Sequence, residues 1–148
     1  KIDERSSDTN WLILRLAEMF LIKAEAAFEL GKLQEAASAL NETRERAGIS
    51  LVDESTITLD LVRNERKSEL AFEDHRYWDL RRWRIAETVL NHRFQGLRII
   101  FHYESGKNYF LPFDCETFSR SYMPQHYYNP ITTARIDNNP DLVENPLY

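Results

Sequence analysis

Glu65, Glu69 and Glu73 follow one another at steps of four in the stretch RNERKSELAFEDHRYWDLRRW, residues 63–83. On a helix that spacing stacks three carboxylates along one face. Such a ladder could do general acid–base work or hold a metal ion. Its neighbours complete neither chemistry. A di-metal site of the bundle type requires a Glu-x-x-His step on each of two helices. Here Glu73 is followed two residues later by His75, and no second motif exists. Zinc-type Cys and His spacing, a Gly-rich phosphate loop and a nucleophile elbow are also missing. The sequence therefore nominates no catalytic, metal-ligating or cofactor-binding residue, and the chain reads as non-catalytic.

The same stretch poses a packing problem. Val62, Leu70, Phe72, Tyr77, Leu80 and Trp83 recur at helical spacing. Steps of about 100° per residue from Val62 put Arg66, Glu69, Glu73 and Arg76 on the face that holds Val62 and Leu80. Either the stretch is not a helix, or the charges are buried as a network, or the face is a working site. Unpaired, each buried charge would cost several kcal/mol; paired and hydrogen-bonded, the set can be near neutral. A network is the expectation, with Arg66 and Arg76 neutralising the glutamates along the helix. Arginine forks could also bond carbonyls of an irregular tail.

The elements that must position these residues are mostly helical. Asn10 to Leu30 contains no Gly or Pro, Asp8 or Asn10 can cap its start, and Gly31 ends it. A second helix is predicted from about Leu33 to Ala47, stopped by Gly48, and Thr58 is the expected cap of a long third helix. Ala17-Glu18, Phe20, Ala24, Gly31, Glu35-Ala36 and Leu40 fit the tetratricopeptide pattern, a helical hairpin of about 34 residues with small side chains between its helices. One copy cannot bury its own face, so neighbours are expected. LRIIFHY and NYFLPF, joined by Glu104-Ser105-Gly106-Lys107, read as a β-hairpin. Beyond it, Asn139-Pro140 and Asn145-Pro146 break any regular element. The predicted class is mainly α. It comprises a helix pair (8–48), a charged and aromatic helical segment (58–90), a β-hairpin (96–113) and an irregular Asn-Pro-rich tail (114–148).

Composition narrows the functions. The 148 residues carry a net charge of −5, with acids and bases interleaved. That pattern gives no footprint for nucleic acid and no basic amphipathic helix for a membrane surface. Arg15, Glu18, Lys23 and Glu25 interrupt the longest apolar run well short of the roughly 20 residues of a membrane span. The single cysteine, Cys115, has no internal disulfide partner. The chain opens at Lys1 without an initiator Met or signal peptide, and is expected to be a piece of something longer. Trp78, Trp83, Tyr103, Tyr109, Tyr122, Tyr127 and Tyr128 are of the kind that stack on sugar rings, but core packing explains them as well. His92, His102 and His126 are isolated and expected to be structural.

Three blocks resemble the SusD/RagB family. The first, WLILRLAEMFLIKAEAAFELGKLQEAASALNETRERAG, is similar to its tetratricopeptide-like helix pair with an arginine-rich end. The second comprises Asn64-Glu65-Arg66, Glu69-Leu70, Phe72-Glu73, His75-Arg76, Asp79-Leu80 and Arg82-Trp83. The third runs from Tyr127-Tyr128-Asn129-Pro130-Ile131 through Ile136-Asp137-Asn138-Asn139-Pro140 to Glu144-Asn145-Pro146-Leu147-Tyr148. Asp74 and Leu147 stand where the family usually has Gly, and Glu144 where it has Gln.

The resemblance implies the C-terminal part of a non-catalytic, nutrient-binding lipoprotein of the bacterial outer membrane. It would be surface-exposed and work with a TonB-dependent SusC-type transporter in the uptake of oligosaccharides. It also implies that this stretch is mainly scaffold, with ligand contacts upstream, so no ligand-binding residue is carried over. The alternative is a tetratricopeptide-like scaffold for a protein or peptide partner.

Overall fold

The structure, a computed structural model, describes residues 12–148. It is mainly helical: α1 (Leu16–Glu29), α2 (Leu33–Arg46), α3 (Leu59–Glu69), α4 (His75–Arg82), α5 (Ala86–Leu90), β1 (Gln95–His102), β2 (Lys107–Asp114), a 3₁₀ turn (Pro124–Tyr127) and α6 (Thr133–Asn138). These elements fall into two compact units, divided between Arg76 and Tyr77. Among the described residues no helix is long and apolar enough to cross a membrane.

The first unit is a helical hairpin with α3 packed against it. Ala24 and Ala27 of α1 meet Ala36, Ala37 and Ala39 of α2, and Leu21 and Leu40 are fully buried between them. Short side chains let the two backbones approach, and the leucines fill the space that remains. Gly31 ends α1 at φ 73, where Lys32 N–H reaches back to Ala27 O at 2.9 Å. Gly48 ends α2 in the same way at φ 68, with Ile49 N–H on Arg44 O. Both are left-handed helix terminations that a Cβ would strain. Thr58 caps α3 as predicted, its hydroxyl accepting from Leu61 N–H at 3.1 Å. The expected caps of α1, Asp8 and Asn10, lie outside the described residues. Residues 12–15 are not helical, and α1 starts at Leu16, after Arg15 in extended backbone.

The long third helix is corrected. Residues 58–90 are largely helical, but in three pieces. Phe72 and Asp74 sit at φ 66 and 62, and Arg84 at φ 57. No right-handed helix continues through left-handed residues, so α3 stops at Glu69 and α4 stops at Arg82. The single face drawn from Val62 to Leu80 therefore does not exist. Val62 belongs to the core of the first unit, and Leu80 to a separate core with Ala86 and Tyr122.

In the second unit, β1 and β2 pair antiparallel, from Gln95↔Asp114 to His102↔Lys107. Gly106 closes the turn at φ 64. The tail is held by side chains instead of a ladder. Asn91 Nδ2 donates to Tyr122 O at 3.0 Å, and Asn91 Oδ1 accepts from Tyr122 N–H. Arg81 Nη2 donates to Tyr127 O at 2.6 Å. Asn145 Nδ2 donates to Asn129 O at 2.6 Å. Side-chain donors were the expected means of holding an irregular tail. The arginine that does so is Arg81, beyond the four residues singled out in the sequence.

Candidate functional site

The carboxylate ladder is dismantled by its own partners. Glu65 pairs with Arg44 of α2, Oε2 to Nη1 at 2.5 Å. Glu69 takes Arg15 Nη1 at 2.7 Å on one side and Arg46 Nη2 at 2.6 Å on the other. Glu73, in the turn after α3, receives Arg15 Nε at 2.8 Å. Arg15 also donates to the backbone carbonyl of Glu69. The result is an alternating chain, Glu73–Arg15–Glu69–Arg46, joining α2, α3 with its following turn, and the residue that leads into α1. Deeper in the unit, Arg66 points Nη2 at Glu18 Oε1 at 3.4 Å, and His75 Nδ1 lies 3.5 Å from the same oxygen. Arg66 is 5 % and Glu18 7 % exposed.

Arg66, Glu69 and Glu73 do turn inward, and Arg76 is half-buried. The glutamates and Arg66 meet Arg15, Glu18 and Arg46 of the hairpin, partners that the single-helix reading did not include. Sequence reasoning missed those partners because i,i+3 and i,i+4 rules see only one helix at a time. One available signal was the basic end of α2, Arg44 and Arg46, which helix-terminus electrostatics favours. Each glutamate of the ladder faces an arginine. Among the described residues no three His, Cys, Asp or Glu side chains group to hold a metal ion.

The electrostatics follow from this geometry. The Arg15 guanidinium holds the Glu73 carboxyl below its ordinary value of 4.5, against the opposing effect of partial burial. Arg15 is in turn raised, first by its hydrogen bond to Glu73. A depressed carboxylate contributes stability above its unfolded pKa and loses it as pH falls through the folded value. Arg15→Met should thus cost about 1–3 kcal/mol at pH 7, since the site is only partly buried and Glu69 keeps Arg46. The difference in Tm between the two proteins should shrink as pH falls below 4.5; a constant difference would show that Glu73 is not the group held by Arg15.

The aromatic and histidine candidates separate by environment. Tyr122 is a core residue, and Tyr127 packs on it with ring centroids 5.1 Å apart. Tyr103 and Tyr109 lie exposed on the hairpin, and Trp78 and Tyr128 are exposed in the second unit. Trp83 is half-buried. His102 Nδ1 sits 2.8 Å from Ser105 Oγ, and His126 Nδ1 accepts from Met123 N–H at 3.0 Å. His92 meets Phe94 edge to face. All three histidines have local structural partners.

With this geometry in place, comparison with known proteins decides the family. The profile of the SusD family matches residues 1–148. The chain belongs to the SusD family. A SusD-like protein of Bacteroides ovatus is 30 % identical over 99 % of this chain and 30 % of its own length. The SusD-like protein P38 of Formosa agariphila is 37 % identical over 56 % of this chain and 19 % of its own. The solved structure of BT4246 superposes with a TM-score of 0.76 at 32 % identity, covering 97 % of this chain and 25 % of that one. A SusD superfamily protein from Parabacteroides distasonis shares the fold at a TM-score of 0.56 and 24 % identity. The chain thus spans between about a fifth and a third of the length of these relatives.

SusD membership gives the sequence departures a physical meaning. Asp74 and Leu147, where the resemblance leads one to expect Gly, are both left-handed, at φ 62 and 74. Glu144, in place of Gln, uses one oxygen to accept from Ile131 N–H and Asn145 N–H, both at 2.8 Å; a Gln carbonyl would do the same. Asp74→Gly and Leu147→Gly should each raise stability by up to about 1 kcal/mol, relief of the left-handed penalty outweighing the added freedom of the unfolded chain. Urea midpoints that fall in both variants would show that these turns are not strained.

Proposed function

We propose that this chain is part of a non-catalytic nutrient-binding protein of an outer-membrane glycan uptake system. In this reading a TonB-dependent SusC-type transporter is its partner, an oligosaccharide its cargo, and the bacterial cell surface its location, held there by a lipid anchor. Residues 1–148 act chiefly as scaffold, with the main ligand contacts outside them. The observation that carries the reading is the SusD-family match along all 148 residues, supported by the likeness to BT4246.

The site geometry supports the scaffold role. The three ladder carboxylates, which could have done chemistry, are used to fasten α1, α2 and α3. The test is to purify the full-length protein from its native outer membrane with mild detergent and to titrate it with an oligosaccharide panel. Co-purification of a SusC-type transporter and saturable sugar binding without turnover are expected. Saturable binding of peptides with no sugar binding would favour the tetratricopeptide-like scaffold for a peptide partner. Steady conversion of any oligosaccharide would overturn the non-catalytic reading.

A further inference from the structure

Among the described residues, no side chain of the β-ribbon belongs to either buried core. Alternate residues of a strand point to opposite faces, and directly paired residues share one. The register therefore sorts β1 and β2 into two unlike faces. One carries Arg98, His102 and Lys107 among its apolar residues, and it partly covers itself. The Phe113 ring lies across Gly96, where an added Cβ would meet it at 2.9 Å, and the Arg98 guanidinium stands 5.4 Å from the ring centroid. The other face holds Leu97, Ile99, Phe101, Phe110 and Pro112, with polar side chains only at its two ends.

The second unit leaves that face bare: Leu97, Ile99, Phe101 and Phe110 are between 57 % and 64 % exposed. A two-stranded ribbon by itself is barely stable in water, and apolar patches of this kind are rare on a protein surface. We infer that the Leu97–Ile99–Phe101 face is an internal interface, covered by an apolar element from the part of the polypeptide outside residues 1–148. Interfaces made and broken in use keep enough polar surface for each side to be soluble alone, whereas permanent ones resemble a core cut in half. A face without a charge between its ends fits permanent cover. The polypeptide has that cover to give: this chain covers 25 % of BT4246, and the remainder of a chain of that length is ample. The ribbon is then a strut that ties this stretch to the rest of the protein, a role that depends on family membership and not on what the protein captures.

Two measurements on the full-length protein test this. In hydroxyl-radical footprinting of the purified monomer, Phe101 and Phe110 should be oxidised at least about fivefold more slowly than in the urea-unfolded protein, as packed side chains are. A smaller slowing at both rings would overturn the internal interface. To identify the cover, Phe110→p-benzoylphenylalanine, an aromatic-for-aromatic change, is photolysed in cells and the cross-linked peptides are read by mass spectrometry. The expected product is a link, at the mass of a single chain, to a peptide of the same polypeptide outside residues 1–148. A link to a transporter, to a second copy or to another part of residues 1–148 would overturn the assignment, as would no link at all. Phe101→p-benzoylphenylalanine supplies a second position should the first impair folding, and the footprint needs no substitution.

Discussion

Replacing Arg66 by methionine is expected to lower the unfolding free energy by about 3–5 kcal/mol, the largest effect of any single change among the charged residues. Arg66 is 5 % exposed and its Nη2 faces Glu18 Oε1 at 3.4 Å. Methionine has nearly the length of the arginine stem, so most of the packing is kept while the charge and its hydrogen bonds are lost. What remains is a carboxylate, 7 % exposed, whose cationic partner in the core is gone and whose contact with His75 is 3.5 Å long. Chemical denaturation of wild type and variant at pH 7 measures the difference. A loss under about 1 kcal/mol would place Arg66 with ordinary surface charges.

The second large effect concerns the apolar seam of the hairpin. Leu40→Ala should cost about 2–5 kcal/mol, since Leu40 is 0 % exposed and its neighbours cannot easily close the gap. Those neighbours include Ala24, Ala36, Ala37 and Ala39, which have no side chain long enough to swing into the space. The cost should therefore fall in the upper half of that range. Leu33, on the same helix but 36 % exposed, serves as the control, and Leu33→Ala should cost well under 1 kcal/mol. Equal losses at both positions would mean that the two helices are not packed through the small residues of this seam.

The hairpin was legible because its signals are local: alanines at helical spacing and glycines immediately after the last turns. The β-ribbon was legible for the same reason, two β-branched and aromatic runs joined by a Gly-containing turn. The break at residues 70–74 was harder to see. Phe72 and Asp74 are not glycines, and propensity gives no reason to expect left-handed backbone at a phenylalanine. The one clue was Asp74 standing in a position where the family has Gly. The charged site was half legible. Periodicity put Arg66 and Glu69 on the side of Val62, where they do turn inward, but Arg15 is 54 and 58 residues from its partners Glu69 and Glu73. Contacts of that range are set by how helices pack, which no single-helix rule contains. Arg81 was missed as the tail's donor because its role depends on where an irregular segment comes to rest.

A common thread joins the charged site to the proposed role. A scaffold must hold its helices in one arrangement, and apolar packing alone tolerates sliding more readily than directional ion pairs do. Glu65, Glu69 and Glu73 each meet an arginine from another part of the first unit, so any shift of α3 along the hairpin breaks several contacts at once.

A double-mutant cycle on Glu18 and Arg66 tests most directly whether the inward charges fasten the helices. Urea unfolding of wild type, Glu18→Leu, Arg66→Met and the double variant should show that each single change is severe and that the pair together costs little more than either alone. A coupling of at least about 2 kcal/mol is predicted. Losses that add to within about 0.5 kcal/mol would mean the two side chains act independently, and the clamp across the helices would have to be given up.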